Sequence, residues 1–142
     1  MTTVIVGVDR SDSSTRAVEL ATQVARLFEL DLLIAHVIAW SPYSFQTPSE
    51  NEHRHRHRAE EIQAAEQQII APMMALTGDL TTVESIVRHG NPSDTLIDLA
   101  EERHAAHLIV GRTGDSGLRV SLFGSVASRL AQHAPLPVTV VP

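Results

Sequence analysis

Short β-branched runs, separated by segments with helical spacing, constrain this chain more than any other feature. Thr3-Val-Ile-Val-Gly-Val-Asp9 is almost continuously apolar, the pattern of a strand covered on both faces rather than one. Leu32 to Ile38, Thr82 to Val87, Leu108 to Val110 and Val138 to Val141 read as four further strands. Between them, Ala17, Val18, Ala21, Val24, Ala25 and Phe28 follow helical periodicity. So do Ile62, Ala65, Ile69, Met73 and Leu76, although Pro72 should kink or end that helix. Asn91-Pro92 opens another helix, with Asn as cap and Pro in the first position, and Leu96, Leu99 and Ala100 facing inward. Leu122, Val126, Ala127, Leu130 and Ala131 mark the last helix. Strand–helix alternation of this kind specifies an α/β fold with a parallel sheet and right-handed crossovers.

At 142 residues, with no internal repeat and no linker, the chain reads as a single domain spanning residues 1–142. The Pro-containing, polar stretch from Ala39 to Arg58 reads as a long loop of functional or flexible character. A net charge of -6 argues against nucleic acid as a partner, and no apolar run reaches the length of a membrane span. The opening residues read as a strand rather than an export signal, and cysteine is absent, so the expected location is cytoplasmic. All 11 basic residues are arginine. A lysine-based phosphate loop, a Schiff-base lysine and a cysteine nucleophile or zinc site are therefore excluded. Any phosphate site must use backbone amides, hydroxyls and arginine.

The segment Gly111-Arg-Thr-Gly114 through Gly124-Ser125 directly follows the fourth strand and leads into the last helix. Glycines permit close backbone approach, and the free amides of a first helical turn attract anions. Gly124 and Ser125 would lie in that turn, with Ser125 adding a hydroxyl and Arg112 or Arg119 a positive charge. Spacing alone leaves phosphate binding and plain turn geometry equally open.

The spacing Gly111-x2-Gly114-x9-Gly124-Ser125 resembles the ATP-binding signature of universal stress proteins. The resemblance extends to Asp9 at the end of the first strand, Leu33-Ile-Ala-His-Val37, Gly90-Asn-Pro92 and His133-Ala-Pro-Leu-Pro-Val138. It is weakest between Ala39 and Gly78. It implies an open five-stranded parallel sheet in order 3-2-1-4-5 with helices on both faces. It further implies ATP, accompanied by magnesium, as the ligand. Val8, Asp9, Val37 and Val110 would then flank the adenine and ribose. Backbone groups of Gly111, Arg112, Thr113 and Gly114 would face phosphates or ribose, and Gly124, Ser125 and Val126 would hold the outer phosphates. The resemblance implies a homodimer through Val138, Thr139, Val140 and Val141, an apolar edge that needs covering. An unidentified protein partner would read the nucleotide state. Two departures stand out: Arg10 occupies a position where the pattern has glycine, and Asp115 brings a carboxylate into the phosphate loop.

Plainer roles compete for several of these residues. Asp9 also suits a helix cap, with Ser11 and Ser13 as rivals, and Arg112 also suits solvent. His36, inside an apolar strand, reads as a hydrogen-bonded core histidine. The tract His53-Arg-His-Arg-His-Arg58 offers imidazole spacings that suit a metal or a pH-sensitive surface, but its interleaved arginines repel cations. Its simpler reading is a solvated helix start, with Arg56–Glu60 and His57–Glu61 at i,i+4 spacing. A nucleotide-dependent regulator is the favoured function. Slow ATP hydrolysis, a nucleotide-free dimeric interaction module, and binding of AMP or cyclic AMP are the alternatives.

Overall fold

The computed structural model describes residues 2–39, 48–113 and 124–142. Five strands form one parallel sheet: β1 (Thr3–Gly7), β2 (Asp31–Ala39), β3 (Val83–Gly90), β4 (His107–Gly111) and β5 (Val138–Val141). Their order is β3-β2-β1-β4-β5, as the resemblance implies. The most apolar run takes the centre. Val6 of β1 pairs with Ile34 of β2 on one side and with Ile109 of β4 on the other. Val4, Ile5 and Val6 are fully buried, which a strand walled by helices on both faces requires.

One face carries α1 (Asp12–Phe28) and the helical segment from α2 (Pro48–Ala65) to α3 (Ala71–Ala75). The other carries α4 (Pro92–Glu102) and α5 (Ser125–His133). Val18, Ala21 and Ala25 of α1 pack on Val4, Val6 and Ile34, while Leu96, Leu99 and Leu130 pack on Ile5, Leu33 and Leu108. Ser11 caps α1 by accepting from Ser14 N–H, and Asn91 caps α4 by accepting from Asp94 N–H. No helix among the described residues is long and apolar enough to cross a membrane.

The structure corrects the expected loop between Ala39 and Arg58. Helix α2 begins at Pro48, so the His53–Arg58 tract is helical; residues 40–47 lie outside the described residues. This is the solvated helix start of the tract's simpler reading: it carries no apolar stripe, and His53, His55 and His57 are exposed. Pro72 does not end the segment, because α3 carries it on to Ala75. A widened π-turn over Glu66–Ile70 precedes it, with Ala71 N–H donating to Glu66 O. The wider turn accommodates a proline ring that would otherwise crowd the Gln68 carbonyl. The third strand runs to Gly90 rather than Val87, since an edge strand tolerates Arg88 and His89. The last helix is described from Ser125 onward, and Leu122 lies outside the described residues.

Candidate functional site

The connections after β1 and β4 leave the sheet toward opposite faces, and a crevice opens at the carboxyl ends of those adjacent strands. A cleft of ≈ 1010 Å³ lies there, at the upper end of the range for small-ligand sites. Val8, Asp9, Val37, Val110, Gly111, Thr113, Gly124, Ser125 and Val126 all line it. The sheet therefore gathers into one cavity residues that are more than a hundred positions apart. Arg112 is exposed and is not among the lining residues, and Gly114, Asp115 and Arg119 lie outside the described residues.

Serines knit the floor of the cleft. Asp9 Oδ1 accepts from Ser11 N–H at 2.8 Å and from Ser14 Oγ–H at 2.9 Å, and Asp9 N–H donates to Ser14 Oγ at 2.9 Å. Asp9 thus organises the entry to α1, as the capping reading expected, while still lining the cavity. Ser13, almost fully buried, donates to Thr113 O at 2.9 Å and stands 3.1 Å from Thr113 Oγ1. These bonds hold the exit of β4 against the first turn of α1. Gly111 makes the approach possible, because a Cβ there would stand 2.9 Å from the Ser13 carbonyl carbon.

The backbone after β4 is already partly engaged. Arg112 N–H donates to Val141 O at 2.6 Å, continuing the ladder with β5, and Gly124 N–H donates to Arg112 O. Gly124 is the N-cap of α5 and offers no side-chain cap, so the first-turn amides that follow it lack an intrahelical partner. Ser128 N–H, donating to Gly124 O at 3.0 Å, closes the first turn. An uncapped, nine-residue helix opening onto a cleft beside a serine hydroxyl suits an anionic group.

His36 donates from Nδ1 to Val8 O at 2.6 Å, the hydrogen bond expected of it, but it is only partly buried and lines the cleft rather than the core. Glu61 of α2 also lines the cleft, and its carboxylate lies 3.5 Å from His57 Nε2 and 3.8 Å from His89 Nε2. No group of three potential ligands that could hold a metal occurs among the described residues. Sequence reasoning named neither Glu61 nor Ser13 as a site residue, because Glu61 read as the i,i+4 partner of His57 on a solvated helix and Ser13 as an ordinary capping residue. Arg10 also lines the cleft, with Nη2 donating to Gln68 Oε1 at 2.7 Å.

The model of the universal stress protein family matches residues 1–142 of this chain. The chain is 32% identical over 151 residues to the universal stress protein Rv1636 of Mycobacterium tuberculosis, covering 98% of this chain and 94% of that protein. Among solved structures, a universal stress protein in complex with cAMP is 31% identical, with a TM-score of 0.66, covering 99% of this chain and 95% of that one. The universal stress protein UspA from Lactobacillus plantarum superimposes with a TM-score of 0.83 at 23% identity, covering 99% and 97% of the two chains. That last likeness bears on the fold.

Proposed function

The chain belongs to the universal stress protein family, and on that premise we propose that it is a regulatory protein that binds an adenine nucleotide, with ATP as the favoured ligand. The observation that carries the reading is the convergence of Asp9, Gly111, Ser125 and the uncapped start of α5 on one cleft. Val8, Val37 and Val110 supply apolar wall for a base, and Asp9 a carboxylate for a ribose hydroxyl. Ser125 and the amides of Ser125 and Val126 supply donors for phosphate, and magnesium accompanying ATP would neutralise its remaining charge.

A regulator is favoured over a fast enzyme. Phosphoryl transfer needs a base or water-positioning group and cations at the developing charge. Asp9 and Glu61 are the carboxylates lining the described cleft: Asp9 Oδ1 already accepts two bonds from the start of α1, and Glu61 lies 3.5 Å from His57 Nε2 and 3.8 Å from His89 Nε2. Occupancy would instead be read at the cleft rim or at a dimer formed through β5. The related structure in complex with cAMP favours a second reading, in which the same cleft takes a cyclic monophosphate.

Ser125→Ala tests the phosphate end of the site. Loss of a hydroxyl donor to a charged group should weaken ATP by about ten-fold and leave adenosine unchanged. Equal affinity of the variant and the parent for ATP would contradict the assignment.

A further inference from the structure

The hydroxyl of Ser13 bonds across the floor of the cleft to another element of the fold. Ser11 is the N-cap of α1, and Ser13, two residues further on, is 1% exposed. It donates to Thr113 O at 2.9 Å and accepts from Thr113 N–H at 3.3 Å. One hydroxyl therefore grips both backbone groups of a residue that follows β4. Ser11 Oγ–H adds a second bond to Thr113 O at 3.2 Å.

The bonds continue from Thr113 to the start of α5. The peptide that joins Arg112 to Thr113 gives its N–H to Ser13 Oγ, and its carbonyl accepts from Gly124 N–H. Gly124 is the N-cap of α5, whose first turn brings Ser125 and Val126 to the cleft. A peptide unit is planar, so fixing the direction of its N–H also fixes the direction of its carbonyl. Ser13 on one side and Gly124 on the other are thus joined through a single rigid plane. On its far side, Arg112 N–H donates to Val141 O at 2.6 Å, which anchors that plane to the sheet.

Resting on the nucleotide reading above, we propose that Ser13 is a positioning residue for the anionic part of the ligand. By orienting the Arg112–Thr113 peptide it holds the start of α5 where first-turn amides and Ser125 Oγ meet a phosphate. An anion then binds without the full entropic cost of ordering a loop and a helix start. The apolar walls offered to the base are set elsewhere: Val37 and Val110 lie on β2 and β4, and Val8 N–H donates to Ala35 O. Asp9 takes its bonds from Ser11 N–H and Ser14 Oγ–H. The device therefore acts on the charged group of an adenine nucleotide, cyclic or open, and does nothing for the free nucleoside.

Calorimetric titration of the full chain with ATP, cyclic AMP and adenosine tests this, with thermal midpoints recorded alongside. Ser13→Ala should weaken ATP and cyclic AMP about five-fold, within the scale of one ordinary hydrogen bond, and adenosine less than about two-fold. Ser13→Cys fills the same space with a weaker donor and should give the same split, which separates the bond from the packing. Ser125→Ala should cost less ATP affinity in the Ser13→Ala protein than in the parent, because a shifted helix start no longer presents the hydroxyl. Fully additive losses, equal losses for all three ligands, or none for any overturn the positioning role while leaving nucleotide binding intact. Failure of the unsubstituted protein to bind any of the three overturns this inference together with the reading on which it rests.

Discussion

Gly111 and Ser13 meet where β4 runs past the first turn of α1: a Cβ on Gly111 would stand 2.9 Å from both the carbonyl carbon and the Cβ of Ser13. Backbone on one side and a nearly buried serine on the other leave no room for a side chain. Gly111→Ala should therefore destabilise the fold by about 1–3 kcal/mol, the usual cost of overpacking, and disturb the Ser13–Thr113 bonds. Urea unfolding measures the first effect. A loss below about 0.5 kcal/mol would mean that the two segments can separate freely.

Asp9 is expected to act on both stability and binding. Asp9→Ala leaves Ser11 N–H and Ser14 Oγ–H without their shared acceptor, at a cost of about 0.5–2 kcal/mol as for a lost helix cap. It should also weaken the nucleotide. Asp9→Asn retains an acceptor oxygen and should recover much of the stability but not the affinity. Parallel recovery of both would confine Asp9 to the turn.

The Arg88–Glu102 pair ties β3 to α4 through two bonds of 2.9 and 2.7 Å. The hydrogen bond from Arg88 holds Glu102 below its ordinary value of 4.5, and the same bond holds Arg88 above its own. A carboxylate depressed in the folded state contributes stability that is present above its unfolded pKa and disappears as pH falls through the folded one. Glu102→Gln should thus reduce stability modestly at neutral pH, with the difference shrinking below about pH 4.5 and at high salt. A gap that widens on acidification would contradict the pairing.

The edge of β5 gives a test of assembly. Leu108 N–H donates to Pro137 O and Arg112 N–H to Val141 O, so odd-numbered residues of this strand face β4. Alternation then turns the amides of Val138 and Val140 toward the open edge. Val140→Pro removes one outward donor and spares the ladder with β4. Sedimentation should show a dimer for the parent and a monomer for this variant. A parent that is monomeric at every concentration would rule out pairing through this strand.

Much of the architecture was legible because a buried parallel strand carries its own signature. Val4, Ile5 and Val6 could belong only to a sheet covered on both sides, and Asn91-Pro92 spelled a helix start that the structure reproduces. Helix α2 was legible in its later turns, from Ile62 and Ala65, and in the solvated helix start read at His53–Arg58; its beginning at Pro48 was not, since alternating His and Arg leave no apolar stripe to count. The π-turn escaped for a related reason: Pro72 announces a disturbance, but not whether the helix stops or widens. Within the cleft, Gly111 and Ser125 were marked by a glycine spacing that resembles the family's signature, and Asp9 by that resemblance at the end of the first strand. The Arg10–Gln68 bond was invisible because it joins a turn to a helix 58 residues away, and no local pattern encodes that contact.

Adenine-nucleotide binding is most directly tested by calorimetric titration of the purified, nucleotide-free chain with Mg-ATP, followed by AMP and cyclic AMP. Saturable binding of one nucleotide per chain, displaced by the other adenine nucleotides and weakened by Ser125→Ala, is the predicted result. No heat and no thermal shift at millimolar concentrations of all three would contradict the account, leaving the fold as a nucleotide-free interaction module.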